Sequence, residues 1–166
     1  MTTKNFQPQL QHFEQMCKDA GLKVTHQRLE IYRELLGSLD HPSAETLYKR
    51  LEKRLPALSL DTVYRTLATF EKLCLIHRVE TVESQARYEA LTTRHHHFLC
   101  DTCGQVFDFA WHSFDAMTLP SGLAEIGAVA RTSVVVHGTC AACARKDQQN
   151  DTPEQAVVQP IITSTR

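Results

Sequence analysis

The sequence lacks any long hydrophobic run. No stretch of its 166 residues approaches the roughly 18 apolar residues that a membrane span requires, and the polar start MTTKNFQPQLQ contains no apolar core of a secretory signal peptide. We therefore expect a cytoplasmic protein with no membrane partner. A chain of this length forms one ordinary domain or two small ones, and a small domain has a thin core that a bound metal can reinforce.

Net charge is also nearly absent, because the formal total is -1, and this at first argues against a nucleic-acid partner. The two halves differ, however. Residues 1–78 carry 12 Lys and Arg against 9 Asp and Glu, whereas residues 79–166 carry 6 against 10. A mildly basic half suits DNA and an acidic half suits cations. On charge alone, a chance distribution of charges on a globular protein is an equal alternative.

Structural disulfides are not expected, although the chain has six cysteines, because cytosolic thiols stay reduced. Four of them form two Cys-x-x-Cys pairs: Cys100, Cys103, Cys140 and Cys143. This is the ligand set and local spacing of a tetrahedral structural Zn2+ site, and Gly104 permits the tight turn that such a site needs. A redox-active dithiol is the alternative, but neither pair opens a helix after a strand. Cys17 and Cys74 lie in helical patterns and are predicted to be small buried hydrophobic residues.

The first half of the chain has helical periodicity. Apolar residues recur at helical spacing over residues 10–75, and glycines, a polar loop and a proline interrupt them, which predicts four helices. Ser43 and Ser59 are expected to cap two of these helices, because a serine hydroxyl accepts a hydrogen bond from a free amide of the first turn.

The fourth predicted helix has two distinct faces. Its apolar stripe consists of Leu60, Val63, Leu67 and Phe70. The outward face then carries Asp61, Arg65, Ala68 and Lys72, flanked by Tyr64 and Thr69. An arginine and a tyrosine near the start of an exposed helix face suit a DNA groove.

Short strands are predicted after the helices. Residues 75–79 and 87–91 are predicted to form a hairpin around a polar stretch. A hairpin that follows a set of helices is the element order of a winged-helix domain. Apolar runs at 98–100, 106–109 and 128–136, with helical segments between about 113 and 126, predict a small α+β domain. We expect a DNA-binding domain at 1–91, a second domain at 92–145 and a flexible tail at 146–166 with no assigned function.

Five residues are candidate ligands for a second metal: His41, Glu89, His95, His97 and Asp108. In an extended segment His95 and His97 point to one side and His96 to the other, so that one strand offers a ready chelate. The remaining three can join it if the two halves fold against each other, and such nitrogen and oxygen ligands suit Fe2+, Mn2+ or Zn2+. An exposed polar stretch is an equal alternative. No role is predicted for His12, His26, His77, His112 and His137.

These residues stand in motifs that resemble the ferric uptake regulator superfamily of bacterial metal-dependent repressors, over roughly residues 10–145. The motifs are Thr25-x-x-Arg28, His41-Pro42-Ser43-Ala44-Glu45-x-Leu47-Tyr48, Ser59-Leu60-x-Thr62-Val63-Tyr64-Arg65-x-Leu67, Arg87-Tyr88-Glu89, His95-His96-His97-x-x-Cys100-x-x-Cys103-Gly104 and Cys140-x-x-Cys143.

The resemblance implies an α+β protein in which a winged-helix DNA-binding domain precedes a small dimerisation domain with a four-cysteine zinc site. It implies a homodimer that binds palindromic operator DNA. The structural zinc ligands would be Cys100, Cys103, Cys140 and Cys143. A regulatory Fe2+ or Mn2+, or Zn2+ in vitro, would be bound by His41, Glu89, His95, His97 and Asp108. DNA contacts are expected from Tyr64, Arg65, Thr69 and Lys72.

Several departures from the family pattern refine this expectation. Arg94 and Thr132 occupy expected ligand positions of a further sensor site found in some members, so no complete third site is predicted. The hinge at 79–91 lacks the cysteine typical of zinc-uptake members. The consecutive histidines are also found in a haem-binding subgroup, which generally lacks the cysteine pairs.

We therefore expect a metal-dependent transcriptional regulator, a repressor rather than an enzyme, of iron homeostasis or the peroxide stress response. Peroxide sensors resemble this chain in having Asp where Asp108 stands but favour Asp where Glu89 stands, and iron sensors tend to have Glu at both. Peroxide sensing is slightly favoured: peroxide reacting at an open position of Fe2+ would oxidise a ligand histidine and release DNA. The alternatives are a zinc-, manganese- or haem-responsive relative and, from another class, a His/carboxylate metallohydrolase.

Overall fold

The computed structural model describes residues 6–79, 86–90 and 93–150, with residues 147–150 through their backbone only. The predicted domain boundary between residues 91 and 92 and the part of the predicted tail at 151–166 lie outside the described residues. Within the described ranges, every helix is too short or too polar to span a lipid bilayer.

Four helices form the first half, as the periodicity predicted: α1 (Gln7–Asp19), α2 (His26–Gly37), α3 (Ala44–Leu51) and α4 (Leu60–Lys72). Their starts are set by hydroxyl caps. Ser43 accepts from the amide of Thr46 at 3.3 Å, and Ser59 accepts from that of Thr62 at 3.1 Å. Both predicted caps are therefore confirmed, and Thr25 caps α2 in the same way.

The apolar stripes of these helices meet in one core. Phe13 of α1 stacks on Tyr32 of α2 with ring centroids 4.4 Å apart, and Phe70 of α4 meets Phe13 edge-on at 5.2 Å. Val63, Leu67 and Phe70 are completely buried, whereas Asp61, Arg65, Ala68 and Lys72 face solvent. Packing of the inner stripe thus fixes which face of α4 is free to bind a partner.

A two-stranded antiparallel hairpin follows α4, with β1 (Ile76–Val79) paired to β2 (Arg87–Ala90). Helices followed by this hairpin give the predicted winged-helix order. The amide of Tyr88 donates to the carbonyl of Pro42 at 3.1 Å, so β2 holds the loop before α3 against the hairpin.

The second half is a three-stranded sheet in the order β4-β3-β5, with β3 (His96–Cys100), β4 (Val106–Phe109) and β5 (Val135–Gly138). Strand β3 pairs antiparallel to β4 and parallel to β5. Two short helices, α5 (His112–Asp115) and α6 (Leu123–Ile126), lie between β4 and β5. The predicted α+β class is confirmed.

Two details of the second half differ from the expectation. The apolar run at 128–136 becomes a strand only from Val135, where pairing with β3 begins opposite His97. Helix α7 (Ala141–Asn150) continues beyond Cys143, so the first residues of the tail expected to be flexible are helical.

The two cysteines outside the pairs lie in different environments. Cys17 is completely buried, as predicted. The prediction for Cys74 was wrong: it is exposed, because it follows the end of α4 in the left-handed conformation with φ of 53°. Its amide donates to the carbonyl of Glu71 at 3.0 Å, and the amide of Leu75 donates to that of Phe70 at 2.9 Å. Leu75 therefore turns back into the core while the Cys74 side chain stays in solvent.

Candidate metal centres and DNA-binding face

The four paired cysteines form one group, here called the cysteine cluster: Cys100, Cys103, Cys140 and Cys143. Their sulfur atoms all lie within 4.8 Å of one another. Cys100 ends β3 and Cys103 lies in the turn that follows, where Gly104 adopts a left-handed φ of 68° and donates to the carbonyl of Cys100 at 2.8 Å. Cys140 immediately precedes α7, and Cys143 lies in its first turn. The expectation that neither pair opens a helix after a strand was therefore wrong for this pair, which follows β5 and opens α7. The spacing of each pair thus brings both of its sulfurs to one point.

The electrostatics of this cluster suit a divalent cation. The backbone N–H of Cys140 donates to the sulfur of Cys100 at 3.3 Å and lowers the pKa of Cys100 to about 6. The hydrogen bond with Cys140 and burial raise the pKa of Cys143 to about 12. Negative charges on four such close sulfurs repel one another unless a cation lies among them. The donor set therefore fits tetrahedral Zn2+.

A second group of ligand atoms within 4.8 Å of one another is here called the histidine–carboxylate cluster: His41, Glu89, His95, His97 and Asp108. The Nε2 atoms of His95 and His97 lie 2.8 and 3.0 Å from Oε2 of Glu89. Nε2 of His41 lies 2.9 Å from Oδ1 of Asp108 and 3.3 Å from Oε2 of Glu89. All five residues proposed from the sequence are thus brought together.

Each element contributes to this convergence through its own geometry. His95 precedes β3 and His97 lies on it, with their Nε2 atoms 3.1 Å apart, while β4 places Asp108 directly opposite His97. Strand β2 provides Glu89. His41 comes from the loop before α3 in the left-handed conformation, with φ of 48°. The predicted alternation is confirmed, because His96 points to the opposite side and is completely buried.

The charge balance of the histidine–carboxylate cluster also fits a cation. Burial alone would raise the pKa of Glu89, but hydrogen bonds from His41 and His97 outweigh it and hold that pKa far below its usual range. Burial lowers the pKa of His95, and bonds to the Thr93 carbonyl and Glu89 reverse the effect and raise it.

The tautomer of His95 supports the same conclusion. A carbonyl only accepts, so Nδ1 of His95 donates to Thr93 at 2.8 Å, and in the neutral ring Nε2 presents a lone pair to Glu89 and His97. Facing lone pairs at such distances need a shared proton or a metal cation between them. Three imidazoles and two carboxylates suit Fe2+, Mn2+ or Zn2+. Thr93 orients the His95 ring through its backbone carbonyl, and a backbone contact of this kind cannot be predicted from the type of residue in the sequence.

Arg94 and Thr132 contact each other. These are the two residues that stand where some family members have ligands of a further sensor site. Arg94 donates to the hydroxyl of Thr132, and its Nε lies 2.6 Å from Oδ1 of Asp115. The buried His96 lies beside them, with Nε2 3.3 Å from the same Asp115 oxygen. The Arg94 guanidinium thus supplies the positive charge beside Asp115. Within the described ranges, groups of three or more candidate ligands occur only in the two clusters above.

The four residues predicted to contact DNA lie on α4. Arg65 is 79% exposed and forms an ion pair of 2.5 Å with Asp61. Tyr64 is 43% exposed, and its hydroxyl donates to Glu45. Lys72 is exposed and Thr69 is half-buried. These side chains are accessible on one helix, which is the arrangement that a groove-binding helix requires.

Comparisons with known proteins agree with this description. A model of the ferric uptake regulator family matches residues 19–119. The peroxide operon regulator of Bacillus subtilis is 29% identical over 130 residues, which span 78% of this chain and 90% of that relative. The ferric uptake regulator of Vibrio cholerae is 32% identical with a TM-score of 0.61, covering 77% of this chain and 99% of that one. A zinc uptake regulator solved with zinc and DNA is 25% identical with a TM-score of 0.61, covering 88% and 99%.

Proposed function

Because the chain belongs to the ferric uptake regulator family, we propose that it is a transcriptional regulator whose DNA affinity depends on a divalent cation bound by the histidine–carboxylate cluster. One observation carries this proposal. His41 comes from the helical DNA-binding half, whereas His95, His97 and Asp108 come from the second half, so that an ion bound by all of them joins the two halves.

The cysteine cluster has a different role in this proposal. Its ligands come from the end of β3, the turn after it and the start of α7, all within the second half. A Zn2+ ion at this site would stabilise the end of the sheet without joining it to the helical half. We therefore assign it to structure and not to sensing.

The residues of the histidine–carboxylate cluster set the relative position of the two halves. When bound, a divalent cation supplies the positive charge that the two carboxylates require and offers one point of attachment for three imidazoles. His41 then holds the loop before α3, and through α3 the position of α4, relative to β3 and β4. If operator DNA binds this same arrangement better, the free energy by which the cation favours the arrangement appears as higher DNA affinity.

Helix α4 is proposed to read the DNA. Arg65 can donate two hydrogen bonds to a guanine edge, Tyr64 and Thr69 flank it, and Lys72 approaches a phosphate. The family resemblance implies a homodimer, and the similar zinc uptake regulator was solved with DNA. A two-fold dimer places two α4 helices about one DNA turn apart, which suits a palindromic operator.

The direct test is operator binding in a gel-shift titration with and without Mn2+. We expect tighter binding with Mn2+, and we expect Arg65→Ala to lose about 1–3 kcal/mol of discrimination between operator and unrelated DNA. Arg33→Ala, which removes an exposed charge from α2, is the matched control. Unchanged operator affinity in Arg65→Ala would show that α4 does not read the sequence.

For the stimulus, we favour peroxide over iron concentration. The peroxide sensors that this chain resembles also have Asp at the position of Asp108. The similar Bacillus subtilis protein is named a peroxide operon regulator. We expect peroxide treatment of the Fe2+-loaded protein to add oxygen to His41 or His95 and to abolish operator binding. The Mn2+-loaded protein is the control. Loss of binding with no added oxygen on either histidine by mass spectrometry would contradict this assignment.

Iron sensing is the second candidate, because Glu89 matches the iron sensors at its position. It predicts that Fe2+ restores operator binding after peroxide is removed, with both histidines unmodified. Measuring operator affinity against Fe2+, Mn2+ and Zn2+, before and after peroxide, distinguishes the two stimuli.

A further inference from the structure

A polar notch of about 390 Å³ lies between the start of α2 and the outer face of α4. Hydroxyl, amide and guanidinium groups line it, and none of the described residues that line it has a carboxylate. The side chains that matter here are Thr25, Gln27 and Arg28 on the α2 side and Thr62, Arg65 and Thr69 on the α4 side. Donors and positive charge without a carboxylate are the chemistry of an oxyanion site.

The α2 side of the notch is held in place by hydrogen bonds. Nη1 of Arg28 donates to the carbonyl of Lys23 at 2.6 Å, which uses one of the five N–H groups of the guanidinium. Nε2 of Gln27 donates to the carbonyl of Ala57 at 3.0 Å and so ties α2 to the loop before α4. Arg28 is half-buried, so little side-chain freedom remains to be lost on binding.

The α4 side of the notch is continuous with the proposed DNA-reading face. Arg65 and Thr69 line the notch and also belong to that face. Asp61 offsets part of the charge of Arg65, but this pair is exposed on both sides and its attraction is weak in water. Arg28 has no such carboxylate partner in the described part of the chain.

We propose that this notch holds one phosphate of the DNA backbone, with Arg28 as its main donor, beside the groove that α4 enters. The inference rests on the proposed DNA-binding function and extends the contact surface to α2. In helix-turn-helix proteins the recognition helix enters the groove while a neighbouring helix crosses the backbone. A phosphate contact fixes the register of the protein on the duplex and reads no base.

The test compares Arg28→Ala with Arg33→Ala in the metal-loaded full chain. Both changes remove one positive charge from α2, but Arg33 is exposed and pairs with Glu30 at 2.8 Å away from the notch. We expect Arg28→Ala to weaken binding to the operator and to an unrelated duplex by the same factor. The slope of log affinity against log salt should fall by about 0.9, and Arg33→Ala should leave it unchanged.

A second variant covers the case in which Arg28→Ala folds poorly. Thr62→Glu adds negative charge at the notch, and together with the Ser59 cap it forms the Ser-x-x-Glu arrangement that stabilises a helix start. We expect it to unfold at the same temperature as wild type or higher and to bind both duplexes at least tenfold more weakly.

A methylphosphonate scan of the operator identifies the phosphate itself. Neutralising the contacted phosphate should weaken the wild type and leave Arg28→Ala unaffected, because the variant has already lost that contact. If the wild type binds the operator and Arg28→Ala keeps the full salt slope, or every methylphosphonate weakens both proteins equally, the notch binds no phosphate. If the metal-loaded wild type fails to bind any operator, the proposed function itself is wrong.

Discussion

At the scale of single residues, His41 connects the two halves of the molecule. It is 4% exposed, it adopts a left-handed backbone conformation, and its Nε2 lies within 3.3 Å of oxygens from both Glu89 and Asp108. The other members of the histidine–carboxylate cluster lie on or beside the strands β2, β3 and β4. Removing His41 would leave four of the five candidate ligands in place, and Glu89 on the hairpin would be the remaining candidate outside the second half.

We predict that His41→Ala separates metal binding from DNA binding. Mn2+ affinity should fall more than about tenfold, since even outer-shell partners typically cost 10–100-fold, and the response of operator affinity to Mn2+ should be weaker than in the wild type. Zinc content should not change, because the cysteine cluster is intact. His137→Ala is the control, as His137 is exposed and pairs with Asp101 at 3.0 Å. A variant whose operator affinity responds to Mn2+ as strongly as that of the wild type would disprove the bridging role.

At the scale of secondary-structure elements, α1 and α4 end with the same hydrogen-bond pattern but with different residues. After α1, Gly21 takes the left-handed position with φ of 64°, and its amide donates to the carbonyl of Lys18 at 3.0 Å. After α4, Cys74 takes the equivalent position with φ of 53°. An L-residue in this conformation costs about 1–2 kcal/mol, and glycine does not pay that cost.

We predict that Cys74→Gly stabilises the protein by about 0.5–1 kcal/mol. The relief of backbone strain outweighs the extra freedom that glycine has in the unfolded chain. Gly21→Ala should destabilise by a similar amount, because nothing else crowds that position and the change introduces the same strain. Urea unfolding followed by helical circular dichroism measures both, and the idea fails if the two substitutions shift the unfolding free energy in the same direction.

At the scale of the whole molecule, the histidine–carboxylate cluster takes its residues from both halves of the described chain. The side chains proposed to read DNA lie on α4, whereas most of the candidate metal ligands lie on or beside the sheet of the second half and the hairpin before it. A ligand changes the affinity for DNA only if it binds one arrangement of the halves better than another. The same coupling must then act in the opposite direction.

We predict a reciprocal effect between Mn2+ and operator DNA. Mn2+ should raise operator affinity by about 5–150-fold, the usual range of such coupling, and saturating operator should raise Mn2+ affinity by the same factor. Fluorescence anisotropy measures the first factor and a competitive metal titration measures the second. Unequal factors in the dimeric, zinc-loaded protein would mean that a further ligand or an assembly step takes part.

Features that depend on neighbouring residues were determined by the sequence alone. The Cys-x-x-Cys spacing brings each pair of sulfurs together within one turn, and the alternation of a strand separates His96 from His95 and His97. The stripe of apolar residues on α4 likewise decides that Arg65 faces outward. In each case the distance between the residues along the chain is short enough for local backbone geometry to fix their relation.

Tertiary structure decided whatever depends on distant segments. His41, Glu89 and Asp108 were candidate ligands in the sequence, but only packing of β2 against the loop before α3, and of β3 against β4, brings their ligand atoms within 4.8 Å. The exposure of Cys74 follows from where α4 ends, and the notch beside Arg28 exists only because α2 packs next to α4. The relative positions of distant segments are set by the whole core and not by any local pattern.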